Sequence, residues 1–280
     1  MNKSILITGC ASGIGHYSAH ALKKQGYRVF AAARKTTDVE TLQSQGLESL
    51  LLDVNDSNSI QQGIAHILQL TNGTLDAVFN NAGFLQAGAI EDLTRDMDRA
   101  QFETNVFGVM ELTRQALLVM RKQGYGRIIQ NSSILGIITM PYYGAYNASK
   151  FALEGYSNTL RQELRGTNIH VSILNPGPIY SKLRDNAYQH WQTTLSQAHS
   201  HFHKAAYERI EKNYFHPTEA DRRFTVTPDV LVKKLLHALE HPHPKAHYYI
   251  GRPAQLLAFL RRILPDSVLD WALVKTQNSG

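Results

Sequence analysis

Thr8-Gly9-Cys10-Ala11-Ser12-Gly13-Ile14-Gly15 follows directly on an apolar run, Ser4-Ile5-Leu6-Ile7, and opens a stretch of helically spaced apolar positions over Ile14–Gln25. Strand, glycine turn and helix in that order make a phosphate-binding corner. The glycines omit the Cβ atoms that would hold backbone away from a pyrophosphate, and the helix N-terminus adds unbonded N–H groups and the positive end of its dipole. The spacing is Gly-x3-Gly-x-Gly rather than the commoner Gly-x-Gly-x2-Gly, so its force comes from the strand–turn–helix context. Gly9, Ser12, Gly13, Ile14 and Gly15 are therefore expected to touch a dinucleotide, with Cys10 a small filler rather than a nucleophile.

Outward from this corner, short apolar runs alternate with helical stretches, the signature of a parallel sheet with crossover helices. Strands are predicted at Ser4–Ile7, Arg28–Ala33, Leu47–Leu52, Leu75–Asn80, Arg127–Asn131, Ile169–Leu174 and His247–Ile250, and helices at Ile14–Gln25, Ser57–Leu70, Phe102–Gln123 and Ala145–Arg165. Gly26 and Gly124 stand where helix C-caps belong. The fold class is α/β: one Rossmann-type doubly wound sheet of about seven strands, helices on both faces, and no linker to divide residues 1–280 into two domains.

The end of the second strand bears on the cofactor. NAD sites usually place an acid there to grip the ribose 2′-OH, but the chain reads Ala31-Ala32-Ala33-Arg34-Lys35, with no acid until Asp38. A carboxylate repels a 2′-phosphate, whereas Arg34 binds it as a charged fork with Lys35 beside it, so NADP(H) is favoured over NAD(H). Asp53 and Val54 close the third strand, placed to meet the adenine edge; the plainer role of Asp53 is to cap the next helix.

Tyr146-Asn147-Ala148-Ser149-Lys150 puts a phenol and an ammonium on one helical face, a turn apart. An ammonium favours phenolate and lowers a phenol's pKa, making the pair an acid–base catalyst for a carbonyl or an alcohol. Alone the spacing is commonplace. Here Asn131-Ser132-Ser133 ends the fifth strand, Asn80-Asn81-Ala82-Gly83 the fourth and Asn175-Pro176-Gly177-Pro178-Ile179 the sixth, with Asn105 on the helix after the fourth. All of these motifs collect at the carboxyl edge of one sheet.

Together they resemble the short-chain dehydrogenase/reductase family in its single-domain form, over roughly residues 3–182. The resemblance implies that Asn105, Ser133, Tyr146 and Lys150 form a catalytic tetrad. Tyr146 would exchange the proton and Ser133, thirteen residues earlier, would position the substrate oxygen. Lys150 would hold the nicotinamide ribose and lower the Tyr146 pKa, and Asn105 would support a water that links Lys150 to solvent. Asn81, Ala82, Gly83, Pro176, Gly177 and Ile179 would flank the ribose and nicotinamide. Relatives often carry a Thr two residues after that Ile; Ser181 keeps the hydroxyl. The segment YNASKFALEGY (Tyr146–Tyr156) and a long aromatic insertion are similar to the 17β-hydroxysteroid and retinol dehydrogenase branch and to bacterial NADP-dependent aldehyde reductases.

That insertion, residues 183–224, carries Tyr188, Trp191, Leu195, Phe202, Tyr207, Ile210, Tyr214 and Phe215, and is expected to form a helical lid. With Leu135 and Tyr143 it suits a hydrophobic small-molecule substrate. Residues 253–275 read as two amphipathic helices around Pro265. They suit packing on the domain or on a second copy, in a homodimer or homotetramer, better than a weak contact with a membrane surface.

Composition excludes other classes. Hydrophobic residues at 43% and charged residues at 19% mark a globular chain. The net charge of +6 is scattered in pairs such as Lys233-Lys234, without a basic run or nucleic-acid motif, so no nucleic acid is expected. A lone cysteine, no apolar run near 18 residues and no signal-peptide core suit a cytoplasmic protein. His199, His201 and His203, and His241, His243 and His247, lack matching carboxylates, and no metal is expected. Gly-x-Ser-x-Gly is absent, against an α/β-hydrolase. The alternative to an oxidoreductase is an NADP(H)-binding sensor or scaffold without turnover, which usually lacks part of the catalytic set.

Overall fold

The structure, a computed structural model, describes residues 2–195, 202–218 and 222–278. The chain runs β1 (Ser4–Ile7), α1 (Gly13–Lys24), β2 (Arg28–Ala33), α2 (Thr36–Ser44), β3 (Glu48–Leu51), α3 (Ser57–Leu70), β4 (Ala77–Asn80), α4 (Arg95–Phe102) and α5 (Gly108–Gln123). It continues through β5 (Tyr125–Asn131), α6 (Gly144–Glu163), β6 (Asn168–Pro176), α7 (Leu183–Thr194), α8 (Lys204–Ile210), α9 (Pro228–Glu240), β7 (His247–Ile250), α10 (Arg252–Ile263) and α11 (Asp266–Asn278). All seven strands are parallel, in the order β3-β2-β1-β4-β5-β6-β7. The order reverses between β1 and β4, and an open sheet of this kind binds ligands at that switch point, beyond the strands' carboxyl ends.

Successive strand residues point to opposite faces, and here both faces are buried. Ile5, Ile7, Ala31, Phe79 and Leu174 pack under α1, α2 and α9, through Leu22, Leu42 and Leu235. Leu6, Phe30, Val78 and Ile128 pack under α3, α5 and α6, through Ile64, Leu112 and Leu160. This explains why the strands read as unbroken apolar runs.

Three differences from the sequence expectation have local causes. β5 starts at Tyr125, two residues early, because Gly124 ends α5 in a left-handed turn and Tyr125 then pairs at once with Asn168. The helix expected over Phe102–Gln123 is instead α4, whose N-cap Thr94 accepts from Met97 N–H at 3.3 Å, then a π turn at Glu103–Phe107, then α5. α2 and α9, not anticipated, cover the same sheet face.

α10 and α11 turn Ala254, Ala258, Leu269 and Leu273 onto Ile134 and Ile138, the loop that follows Ser133. Their opposite faces expose Leu256, Phe259, Ile263 and Trp271. Among the described residues, no helix is long and apolar enough to cross a membrane. His199 and His201 lie outside the described residues.

Candidate active site

Two glycines of the β1–α1 corner take conformations that side chains resist, Gly9 at φ +71° and Gly13 at φ +61°. A Cβ on Gly9 would sit 2.9 Å from Ala82 Cα, and one on Gly15 would sit 2.4 Å from the Gly9 carbonyl oxygen. The neighbouring strand end is tied to the turn: the Thr8 hydroxyl accepts from the N–H groups of Asn81 (3.0 Å) and Ala82 (2.9 Å), and Asn81 Nδ2 donates to the Thr8 carbonyl at 2.8 Å. Asn81 Oδ1 in turn accepts from Asn131 Nδ2 at 2.9 Å, so the ends of β1, β4 and β5 form one bonded unit. Ser12 stands as the α1 N-cap without a side-chain cap bond, and the backbone of Lys182, beside Ser181, comes within 3.5 Å of where a Gly13 Cβ would lie. Such a bare cradle fits a dinucleotide pyrophosphate. Cys10 is buried against the Ile7 carbonyl, and burial pushes its thiol up to about 12, which suits a filler and not a nucleophile.

Ser133, Tyr146 and Lys150 meet at the end of β5 and the start of α6, all three buried. The Ser133 hydroxyl accepts from Leu135 N–H at 3.1 Å and stands near enough to the Tyr146 phenol to favour its charged form. Lys150 Nζ donates to the Asn131 carbonyl at 2.7 Å and lies 5.6 Å from the centroid of the Tyr146 ring. Burial lowers the Lys150 pKa to about 8, against an opposing pull from Glu154. Burial also raises Tyr146 above its ordinary value, and Ser133 only partly offsets this. The lowering expected from Lys150 is thus outweighed by desolvation, and the phenol is held as an acid.

Asn105 sits inside the π turn and is buried. Its Oδ1 accepts from Phe84 N–H at 3.1 Å, and its Nδ2 donates to the Phe84 carbonyl at 3.0 Å and to Ser149 Oγ at 3.1 Å. Ser149 Oγ donates onward to the Tyr146 carbonyl at 2.8 Å. A Cβ on Gly83 would lie 3.0 Å from Asn105 Oδ1 and 3.8 Å from Lys150 Nζ, so the Asn80–Gly83 turn adjoins both. The side chain of Asn105 therefore ties this turn to the helix that carries Tyr146.

The other expected contacts divide. Pro176 and Gly177 continue β6, with Gly177 N–H donating to the Ile250 carbonyl at 2.9 Å; Ile179 bridges to Val226, and Ser181 Oγ accepts from Leu183 N–H at 3.4 Å. Arg34 and Lys35 stand exposed past β2, and Lys35 opens α2. Ile14 packs against the core, and Val54 is buried beneath Gly108. Asp53 Oδ1 accepts from Asn55 N–H at 3.0 Å, while Asp56, not Asp53, caps α3 through Asn58 N–H.

The described parts of the 183–224 insertion fold over this edge. Trp191, Leu195, Tyr207, Ile210 and Phe215 are buried in one cluster with Tyr143 and Tyr146; Tyr143 and Tyr214 meet edge-on at 5.3 Å. Phe202 is the exception and is exposed, with Ile210, Tyr207 and Trp191 supplying the buried apolar surface instead. Tyr207 anchors the insertion, its hydroxyl accepting from Ala89 N–H at 3.0 Å and donating to Asp92. Tyr142, at φ +67°, turns the chain so that Tyr143 points into the cluster.

Sequence reasoning missed three residues here. His190 of α7 packs edge-on to Phe84 at 5.1 Å, and burial, with the charge of Arg34, lowers its pKa. Arg184 lies over the Tyr214 ring at 4.9 Å. Glu154 is buried one turn beyond Lys150; the i+4 spacing from Lys150 was its available signal.

Residues 3–192 match the family described as short chain dehydrogenase. The chain is 38% identical to the uncharacterized oxidoreductase YbbO of Escherichia coli K12, over 96% of this chain and 93% of that protein. It is 30% identical to 17-beta-hydroxysteroid dehydrogenase type 6 of Rattus norvegicus, over 97% and 88%. Among solved structures it is similar to an actinorhodin polyketide ketoreductase crystallised with NADPH, with a TM-score of 0.72, 26% identity and coverage of 88% and 94%.

Proposed function

The chain belongs to the short-chain dehydrogenase family, and from that premise we propose that it is an NADP(H)-dependent oxidoreductase that interconverts a hydrophobic carbonyl, an aldehyde, ketone, retinoid or steroid, with its alcohol. The observation that carries this reading is the buried group of Ser133, Tyr146 and Lys150 beside the bare glycine cradle.

In this reading Gly9, Ser12, Gly13 and Gly15 hold the pyrophosphate, Arg34 the 2′-phosphate and Lys150 the nicotinamide ribose. A bound nicotinamide supplies the hydride for reduction or accepts it in oxidation. Tyr146, kept neutral by burial, donates its phenolic proton to the carbonyl oxygen, and Ser133 holds that oxygen by a hydrogen bond. In the oxidation direction the Tyr146 phenolate oxygen takes the proton from the alcohol. Lys150 offsets the charge that develops on the phenol, and Asn105, through Ser149, fixes the helix turn on which Tyr146 stands. The 183–224 insertion acts as a lid that keeps water from the reacting oxygen. Tyr143, Leu135 and the lid aromatics suit an apolar body, and the relative named for 17β-hydroxysteroids supports that class.

A panel of medium and long aldehydes, ketones, retinoids and steroids, assayed with NADPH and with NADH, tests the proposal. Turnover with NADPH that falls at least about 100-fold in Tyr146→Phe is expected; turnover within a few-fold of wild type refutes the assignment. Assembly as a homodimer or homotetramer belongs to the same reading. The exposed Leu256, Phe259 and Trp271 give a second copy an apolar face, and light scattering checks it. Sedimentation with anionic vesicles, with and without residues 253–275, checks the alternative contact with a membrane surface.

A further inference from the structure

Tyr146, Lys150 and Glu154 recur every four residues along α6 and so share one face of the helix, all three buried. Glu154 takes no part in the chemistry set out above, yet a carboxylate shut away from water needs compensation. Asn175 Nδ2 donates to Glu154 Oε1 at 2.5 Å. Ser132 Oγ and Glu154 Oε2 are both buried, with no hydrogen-bond partner among the described residues. His247 Nδ1 lies 3.5 Å from Glu154 Oε2 and 3.2 Å from Asn175 Oδ1. Facing two oxygens, Nδ1 carries the imidazole proton. His247 Nε2 faces Asn158 at 3.2 Å, near the outer surface of α6.

The polar groups around the carboxylate come from three strand ends: Ser132 after β5, Asn175 of β6 and His247 of β7. Burial pushes the Glu154 carboxyl up from its ordinary value, and Ser132, the Asn175 donor and the charge of Lys150 oppose that rise. The loop after Ser133 closes the remaining side, where a Cβ on Gly136 would lie 2.7 Å from Ser132 Oγ and 3.0 Å from Glu154 Cγ. The charged groups that face His247 from outside are Arg161 of α6 and Arg262 of α10; with burial, both keep its imidazole from gaining a second proton.

We propose that Glu154 is a positioning residue for the reaction, a buried counter-charge built from four elements that keeps Lys150 an ammonium beside Tyr146. Among the described residues, Lys150 Nζ has one hydrogen-bond partner, the neutral Asn131 carbonyl. A lysine buried with a carbonyl alone sheds its proton readily. Burial brings Lys150 down to about 8, and Glu154 is the group that opposes this. Below that pH the carboxylate and the ammonium compensate each other; without the carboxylate, the ammonium is lost within the neutral range. What Lys150 does with its charge rests on the reductase reading, but its protonation does not.

The test is Glu154→Gln, which keeps the shape of the side chain and removes the charge. Removing an opposite charge about a turn away lowers the Lys150 pKa by about one unit or more. At pH 8 the ammonium fraction then drops from about a half to about a tenth. The alkaline limb of kcat/KM for reduction moves down by the same interval, for a loss of about fivefold at pH 8 and little at pH 6. Glu154→Asp, which retains a carboxylate, restores the wild-type limb. Independently of turnover, the 13Cε resonance of Lys150 in the wild-type protein titrates near pH 8, with a smaller step where Glu154 takes up its proton. An unmoved limb in Glu154→Gln, or a Lys150 resonance without the second step, overturns the proposal. The resonance decides the matter if the Gln variant does not fold or if no carbonyl is turned over; absence of turnover counts against the reductase reading alone.

Discussion

Replacing Gly15 by alanine tests the cofactor cradle at its tightest point. The new methyl group would lie 2.4 Å from the Gly9 carbonyl oxygen and 2.5 Å from Asn81 Nδ2. One side or the other must give by roughly 1 Å to reach an ordinary contact. Neither is a flexible side-chain end: Gly9 is turn backbone at φ +71°, and Asn81 is bonded to Thr8 and Asn131. Overpacking of this kind costs about 1–3 kcal/mol, and a strained Asn81 bond about 1 kcal/mol more. Alanine's better helix propensity returns about 1 kcal/mol. A net loss near 2 kcal/mol corresponds to a Tm lower by about 4–8 °C in a chain of this size. The cofactor should suffer more than the fold, because the displaced Gly9 carbonyl belongs to the turn that receives the pyrophosphate. NADPH at about 100 Kd raises wild-type stability by about 2.7 kcal/mol, and the variant should lose most of that rise. Thermal melts with and without NADPH, paired with calorimetric titration, measure both effects. A variant with wild-type NADPH affinity and an unchanged Tm would show that the turn does not hold the cofactor.

Other expectations are read from single sites. Arg34→Ala should raise KM for NADPH at least about tenfold and leave that for NADH nearly unchanged, since only the 2′-phosphate distinguishes them; equal losses for both cofactors in steady-state assays would contradict the assignment. Lys150→Met should abolish reduction but stabilise the fold at pH 7, because the native state binds the Lys150 proton only to about pH 8 while the unfolded chain keeps it to about 10.4, so this group destabilises the native state below that window and the penalty fades as pH rises through it. Melts at pH 7 and pH 9.5 should therefore show the Tm advantage of the variant shrinking with pH, and a constant difference refutes the linkage. Cys10, with its thiol up near 12 and fully buried, should react with a disulfide reagent only on unfolding, and rapid labelling of the native protein would contradict the packing.

The sheet was legible because each of its signals is local. Ser4–Ile7 and Arg28–Ala33 read as unbroken apolar runs, since a parallel strand covered on both faces has no polar side to show. The α2 helix was invisible for the opposite reason: in TTDVETLQS only Val39 and Leu42 are buried, too few to display a helical period. The start of α9 carried a recognisable Thr227-Pro228-Asp229 opening, with Pro at the first helical position, but it stood beyond the long insertion, where no strand yet framed it. The π turn at Asn105 had no sequence signal, because its extra residue is set by where Asn105 must meet Phe84 and Ser149.

The acid–base set was visible in Ser133, Tyr146 and Lys150 for their spacing, but their electrostatics were not. Sequence places an ammonium a turn from a phenol and implies that the phenol acidifies. The fold buries both, and desolvation outweighs a neighbour that is itself partly stripped of its charge at pH 8. Which effect wins depends on what else is enclosed with the pair. That is decided by Ser132, Asn175 and His247, which come from β5, β6 and β7 and surround Glu154. No spacing rule joins four positions spread over more than a hundred residues; parallel register does, by bringing Asn131 level with Leu174 and Asn175 level with Tyr249. A motif therefore names the groups that touch substrate, and the strand order determines the charge they hold when they do so.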